Sequence, residues 1–168
     1  QGREHVLVVD KICKAYRREK VLEGISFEAE PGTILGICGS NGAGKTTLLK
    51  IIASVLPADS GSIYLNEKSV KEVTAYRSQI GYVPQTIALS ERLSVYQNLA
   101  FWASVRGLKG QALKQEINRV ATSFQVDGFL KKRIGHCSGG MARRVNLAAG
   151  LLGNPHLVLL DEPISGID

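Results

Sequence analysis

Gly39-Ser40-Asn41-Gly42-Ala43-Gly44-Lys45-Thr46 decides the reading of this chain. It is a full match to Gly, four free positions, Gly, Lys and Ser or Thr, the pattern of a loop that cradles phosphates. Gly39, Gly42 and Gly44 admit backbone angles that a side chain would forbid. Successive N–H groups can therefore turn inward and, with the positive end of the following helix, hold phosphate oxygens. Lys45 adds a point charge for β- and γ-phosphates, and the Thr46 hydroxyl a ligand for Mg²⁺. The flanks supply the context the pattern requires: Thr33, Ile34, Leu35, Gly36, Ile37 and Cys38 read as a buried strand entering the loop, and Thr47 to Ile52 as the helix leaving it.

Composition sets the outer bounds. With 168 residues and 44% apolar content, the chain can bury a real core, and its length suits one domain with a subdomain. No apolar run approaches the roughly 18 residues that span a bilayer, and Gln1-Gly2-Arg3-Glu4-His5 lacks the basic-then-apolar pattern of a secretion signal, so a soluble chain is expected. Cys13, Cys38 and Cys137 are odd in number, far apart and in no metal-ligand spacing, which points to reduced thiols in a cytosolic protein. The net charge of +6 is spread along the sequence, and phosphate binding already calls on some of it.

Before the loop, the β-branched run His5 to Val9 and the alternating run Gly24 to Ala29 predict an antiparallel hairpin. Tyr16 lies between them. An aromatic there can stack on a purine; a half-exposed strand tyrosine is the plainer reading. After the loop helix, Pro57 to Gly61 is turn chemistry, Ser62 to Leu65 a strand and Asn66-Glu67-Lys68 the next turn. Ile80 to Val83 is a further strand closed by Pro84. It leaves Gln85 at a strand end, where a polar group can reach a site or simply be solvated.

From Ser94 to about Ala149 the period turns helical. Ser94 and Gln97 have capping-box spacing, and Gly107 stops the first helix. Leu113, Ile117, Val120, Ala121 and Phe124 form the buried stripe of a second. Ser138 can cap a third helix, running to Leu152, whose first residues are Gly139 and Gly140. Adjacent glycines at a helix N-terminus suit either a close-approaching anion or a plain turn. The apolar run Leu157 to Leu160 predicts a buried parallel strand, which delivers Asp161 and Glu162 together at its C-terminal end. Asp161 suits Mg²⁺ coordination, usually through water, and Glu162 can accept a proton from an attacking water.

Taken jointly and in order, the phosphate loop, Gln85, Ser138-Gly139-Gly140, Asp161-Glu162 and Ser165-Gly166-Ile167-Asp168 resemble the nucleotide-binding domain of ATP-binding-cassette (ABC) ATPases, over essentially the whole chain. The resemblance implies an α/β phosphate-loop NTPase with a mostly parallel core sheet, an N-terminal antiparallel β-subdomain and an inserted helical subdomain. Residues 1–91 and 154–168 would form the ATP-binding core with the β-subdomain, and 92–153 the helical subdomain with the signature. ATP and Mg²⁺ would be the cofactors. Gly39, Ser40, Asn41, Gly42, Ala43, Gly44, Lys45, Thr46 and Thr47 would hold the nucleotide, and Tyr16 would stack on adenine. Thr46, Gln85 and Asp161 would serve the metal. Glu162 would be the general base, assisted by Gln85 and Lys45. Ser138, Gly139 and Gly140 would contact the γ-phosphate of ATP held by a second nucleotide-binding domain in a head-to-tail dimer.

Within the family, Leu93 to Leu99 and the run from Ser138 through Met141, Arg143, Arg144, Asn146 and Leu147 resemble exporters of drugs, antibiotics and lipid-linked glycans. That implies an ATP-hydrolysing subunit, cytoplasmic and peripheral at the inner face of the cell membrane, partnered by transmembrane permease subunits and not by nucleic acid. The alternative class is the soluble ABC ATPases that act on the ribosome or nucleic acid. Its DNA-repair members carry a long coiled-coil or zinc-bearing insertion between Gln85 and the signature, where this chain has no sustained heptads. Cys137 stands where the family usually has Leu, Met141 where Gln is commonest, and Ile164 where Thr is usual. The family also continues beyond the position of Asp168 into a helix, a core strand and a γ-phosphate-sensing His. The C-terminal part is therefore expected to be missing, and the piece alone to bind nucleotide weakly and turn none over.

Overall fold

Leu7 and Val9, two apart on the first strand, are buried as period-two patterning requires, and a bulge brings Ile12 into the core after them. The structure is a computed structural model that describes residues 6–40, 42 and 44–162. Contacts divide the chain into two units, Gln1–Ile80 and Gly81–Asp168.

In the first unit β1 (Leu7–Tyr16) pairs antiparallel with β2 (Glu19–Ala29), from Leu7 opposite Ala29 to Tyr16 opposite Glu19. Its other edge pairs antiparallel with β3 (Ser60–Leu65), beside which lies β4 (Lys68–Ser69), giving the order β2-β1-β3-β4. The hairpin is thus the predicted one, with longer strands. The ladder slips between Val9 and Ile12, where Lys11 takes φ 49. Gly61 sits against that bulge with φ 98, and a Cβ there would lie 2.5 Å from the Lys11 carbonyl oxygen, so no other residue fits without displacement. Asn66 and Glu67 form the expected turn, both left-handed. The loop helix α1 (Lys45–Ile52) buries Leu48, Leu49, Ile51 and Ile52. Tyr76, on the short helix α2 (Val73–Arg77), is fully buried and donates its hydroxyl to the Ile52 carbonyl at 2.7 Å, satisfying a carbonyl at the end of α1. That burial pushes the Tyr76 phenol well above its ordinary range.

The second unit opens within β5 (Ile80–Val83), which is the hydrogen-bonded neighbour of β6 (Leu157–Leu160), both with bounds matching the sequence reading. Between them run α3 (Val95–Val105), α4 (Gly110–Ser123) and α5 (Gly139–Gly150). The Ser94–Gln97 capping box is formed reciprocally, Gln97 N–H to Ser94 Oγ at 3.1 Å and Ser94 N–H to Gln97 Oε1 at 2.9 Å. Leu99, Ile117, Val120, Val145 and Leu152 are fully buried in one apolar cluster shared by the three helices. Val120, Ile117 and Ala121 confirm the α4 stripe, while Leu113 and Phe124 pack at its margin.

Two expectations change. Thr33 to Cys38 is not a strand: it joins neither ladder among the described residues, Ile34 is fully exposed, and Leu35 is 52% exposed. A short apolar run has the capacity for a ladder, but a strand exists only where a neighbour supplies the other half of the hydrogen bonds. Likewise β6 is not buried on both faces: Leu159 is buried and Leu160 is 40% exposed. Among the described residues, β5 and β6 are the visible part of the expected core sheet.

Candidate active site

Gly44 shows why the phosphate loop needs its third glycine. It is the N-cap of α1 with φ 90, and a Cβ there would stand 2.8 Å from Val21 Cγ1 and 3.0 Å from the Val21 carbonyl oxygen. No side chain caps α1, and its first turn holds no acidic residue, so its N-terminal donors and dipole face the loop without competition from a carboxylate. Lys45 Nζ donates to the Gly39 carbonyl at 2.6 Å, which folds the ammonium back over the loop's first residue. Ser40 and Gly42 are exposed, and Thr46 and Thr47 half-buried. Asn41 and Ala43 lie outside the described residues.

Tyr16 ends β1 and is 46% exposed, which agrees with the plainer strand reading and leaves its ring accessible. The Lys14 ammonium stands 5.8 Å from the ring centroid, and Asp59 fixes that ammonium at 2.9 Å while accepting the Ala15 N–H at 2.8 Å. Hydrogen bonds from Lys14 first, then Ala15, hold the Asp59 carboxyl below its usual range. Sequence reasoning took Asp59 only as a turn residue.

The second unit gathers the other polar groups at the ends of β5 and β6. Gln85 Nε2 donates to Glu162 Oε2 at 2.8 Å, joining two residues singled out from sequence. Asp161 is 4% exposed, and its backbone N–H continues the strand pairing by donating to the Val83 carbonyl at 3.0 Å. Glu162 has φ 46, a left-handed conformation uncommon for a residue with a side chain. Burial, then the Asp161 charge, raises the Tyr82 phenol.

Sequence reading named Arg143 and Asn146 only within the exporter-like run and gave them no part in holding this cluster. Arg143, 2% exposed, donates from Nη1 to the Pro84 and Gln85 carbonyls at 3.2 and 2.9 Å. From Nη2 it donates to the Asp161 carbonyl at 3.3 Å and to that of Glu162. Asn146, one turn on, accepts the Ala88 N–H through Oδ1 at 3.2 Å. The one available signal was a buried-face spacing: 143, 146 and 150 lie on one side of a helix whose 142, 145, 148 and 152 face the apolar cluster.

Ser138 caps α5, its Oγ accepting the Met141 N–H at 3.2 Å. Ser138 and Gly139 are exposed, and a Cβ on Gly140 would meet nothing within 4 Å. The helix start is therefore open to approach. Ile164 and Ser165 to Asp168 lie outside the described residues. Each unit by itself offers an oxygen donor of the kind Mg²⁺ takes, the Thr46 hydroxyl in the first and the Asp161 carboxylate in the second. Among the described residues no three His, Cys, Asp or Glu side chains cluster to hold a metal by themselves.

An uncapped helix behind a glycine-lined loop, with a paired Gln and Glu at core-strand ends, defines a phosphate-loop nucleotide-binding domain. Residues 22–165 match the ABC transporter family, and the chain belongs to it. Linearmycin resistance ATP-binding protein LnrL of Bacillus subtilis is 38% identical over 97% of this chain and 53% of its own length. Lipopolysaccharide export system ATP-binding protein LptB of Escherichia coli is 34% identical over 96% of this chain and 69% of its own. Molybdate/tungstate import ATP-binding protein WtpC of Thermococcus kodakarensis is 36% identical over 97% and 49%. The chain thus spans about half the length of two of these relatives. The structure of cbiO1 from Clostridium perfringens, part of the ABC transporter complex cbiONQ, superposes with a TM-score of 0.86 at 28% identity, over 98% of this chain and 68% of that one. No helix among the described residues is long and apolar enough to cross a membrane.

Proposed function

We propose that this chain is the nucleotide-binding part of a subunit that binds Mg-ATP, hydrolyses it and so powers an exporter through separate transmembrane permease subunits. The observation that carries the reading is the 2.8 Å hydrogen bond from Gln85 to Glu162 beside the buried Asp161. A general base must be held within reach of the water it deprotonates, and Gln85 fixes the Glu162 carboxylate by Oε2. Gly39, Ser40, Asn41, Gly42, Ala43, Gly44 and Thr47 embrace the phosphates, Lys45 opposes their charge, and Tyr16 takes the adenine face. Thr46, Asp161 and Gln85 would serve the metal, with Gln85 also close to the reacting water. Mg²⁺, when bound with the nucleotide, neutralises charge on the β- and γ-phosphate oxygens. Water gives its proton to Glu162 as its oxygen attacks the γ-phosphorus, and ADP leaves.

Ser138, Gly139 and Gly140 serve the nucleotide of a second such domain in a head-to-tail pair. Residues 92–153 are the helical subdomain, and 1–91 with 154–168 the core. The working place is the cytoplasmic face of the cell membrane. Export is favoured by the likeness to the linearmycin resistance and lipopolysaccharide export proteins, against which stands the import relative at similar identity. Two measurements test the reading. The full-length protein should release phosphate from Mg-ATP, and cells lacking the gene should become more sensitive to membrane-active antibiotics. A nutrient requirement with unchanged sensitivity would sink export and leave ATP hydrolysis standing.

A further inference from the structure

We propose that Arg143 is a positioning residue that sets the Gln85–Glu162 pair and ties it to the helix beginning at Ser138; the inference rests on the reading of Glu162 as the general base. An arginine stays charged when buried, so a site that buries it must meet its N–H groups with acceptors. Here the acceptors are four backbone carbonyls, two on the segment leaving β5 (Pro84 and Gln85) and two on the segment leaving β6 (Asp161 and Glu162). The guanidinium is one rigid plane, with Nη1 on the first segment and Nη2 on the second. It therefore fixes the distance and angle between the backbones of Gln85 and Glu162.

The side-chain contact between Gln85 and Glu162 depends on that spacing. Glu162 in particular is held at φ 46, a conformation its own sequence does not favour, and the Arg143 bond to its carbonyl is one of the restraints that keep it there. Asn146 extends the hold by accepting from Ala88, three residues beyond Gln85. All these contacts issue from α5. A displacement of that helix carries both strand ends with it, and the signature residues Ser138 to Gly140 lie on the same rigid element. Lysine keeps the charge but concentrates its donors at one point, so it cannot span both segments in the same geometry.

The test compares the full-length wild type with Arg143→Lys, Glu162→Gln and the double variant. A small misplacement of a catalytic group can cost ~10²-fold, so Arg143→Lys should lower kcat by about that factor. KM for ATP, and affinity for a fluorescent ATP analogue, should stay within about twofold, the split that marks a loss felt in the chemical step. In the Glu162→Gln background the same change should add less than about threefold, since residues acting as one unit are non-additive. Unchanged kcat in Arg143→Lys, or fully multiplicative losses in the double variant, overturns the proposal while leaving Glu162 as base. Wild-type turnover in Glu162→Gln overturns the base reading and the proposal with it. Where the lysine variant melts too early to assay, Arg143→Gln, neutral and planar, is put through the same comparison and judged by the same outcomes.

Discussion

Gly81 of β5 and Gly150 of α5 cross with no room for a side chain between them. A Cβ on Gly81 would lie 2.1 Å from the Gly150 carbonyl oxygen, and one on Gly150 would lie 2.3 Å from Val83 Cγ2. Neither the Gly150 backbone nor the fully buried, β-branched Val83 is a flexible end that can swing aside. Gly81→Ala and Gly150→Ala should each lower stability by ~1–3 kcal/mol, the usual cost of overpacking. Urea unfolding of the full-length protein checks this, and midpoints equal to wild type would show that strand and helix can part.

Lys45→Ala removes the ammonium that lies over the phosphate loop. Hydrogen bonds to charged groups contribute about 1.5–3 kcal/mol, so affinity for a fluorescent ATP analogue should drop roughly 10- to 100-fold. Titration of both proteins measures it directly. Equal affinities would mean that the loop is not the phosphate site.

Glu162→Gln leaves a side chain of the same shape that cannot take a proton. General-base catalysis is worth ~10²–10⁴ in rate, so phosphate release by the full-length variant should slow by that range with ATP affinity retained. Binding and chemistry would then separate. Wild-type turnover would place the base elsewhere.

Glu116 supports the end of α5 from α4: its carboxylate takes a two-pronged bond from Arg119 at 2.6 and 3.0 Å and accepts the Gly153 N–H at 2.8 Å. The Arg119 hydrogen bond first, with those of the Gly153 and Asn154 backbone, holds its carboxyl below the ordinary value of 4.5, against the opposing effect of burial. The charged form is therefore bound more strongly in the folded chain. Its stabilisation is complete above pH 4.5 and disappears as the pH falls through the lower folded value. Glu116→Gln should accordingly melt below wild type at pH 7, with the gap closing under acid. A gap that stays constant from pH 7 to pH 3 would rule out the ionised carboxylate as its source.

What could be read in advance was what neighbours along the chain decide. The Ser94–Gln97 box, the stop at Gly107 and the cap at Ser138 each concern residues within one turn, and all stand where the sequence put them. The strands Ile80–Val83 and Leu157–Leu160 are bounded by turn residues and were equally legible. The run Thr33 to Cys38 was not, because a ladder depends on a distant partner that an apolar run does not encode. Arg143 was hidden for the same reason: its acceptors lie 18 to 59 positions away, and their carbonyls look alike in any sequence. Gln85 and Glu162 could be named as candidates one by one, but not seen as a hydrogen-bonded pair.

Helix α5 carries apolar packing on one side and the carbonyl-binding Arg143 and the Ala88-binding Asn146 on the other. Arg144, Leu147 and Leu151 are left along a half-buried line, spaced three and four apart. Substitutions that drift neutrally through a lineage have that narrow line to occupy. Past the open first turn, a change elsewhere on the helix meets either the apolar cluster or the restraints on the strand ends, so stability and chemistry filter the same element. Divergence in what such a protein serves must then be written outside this helix.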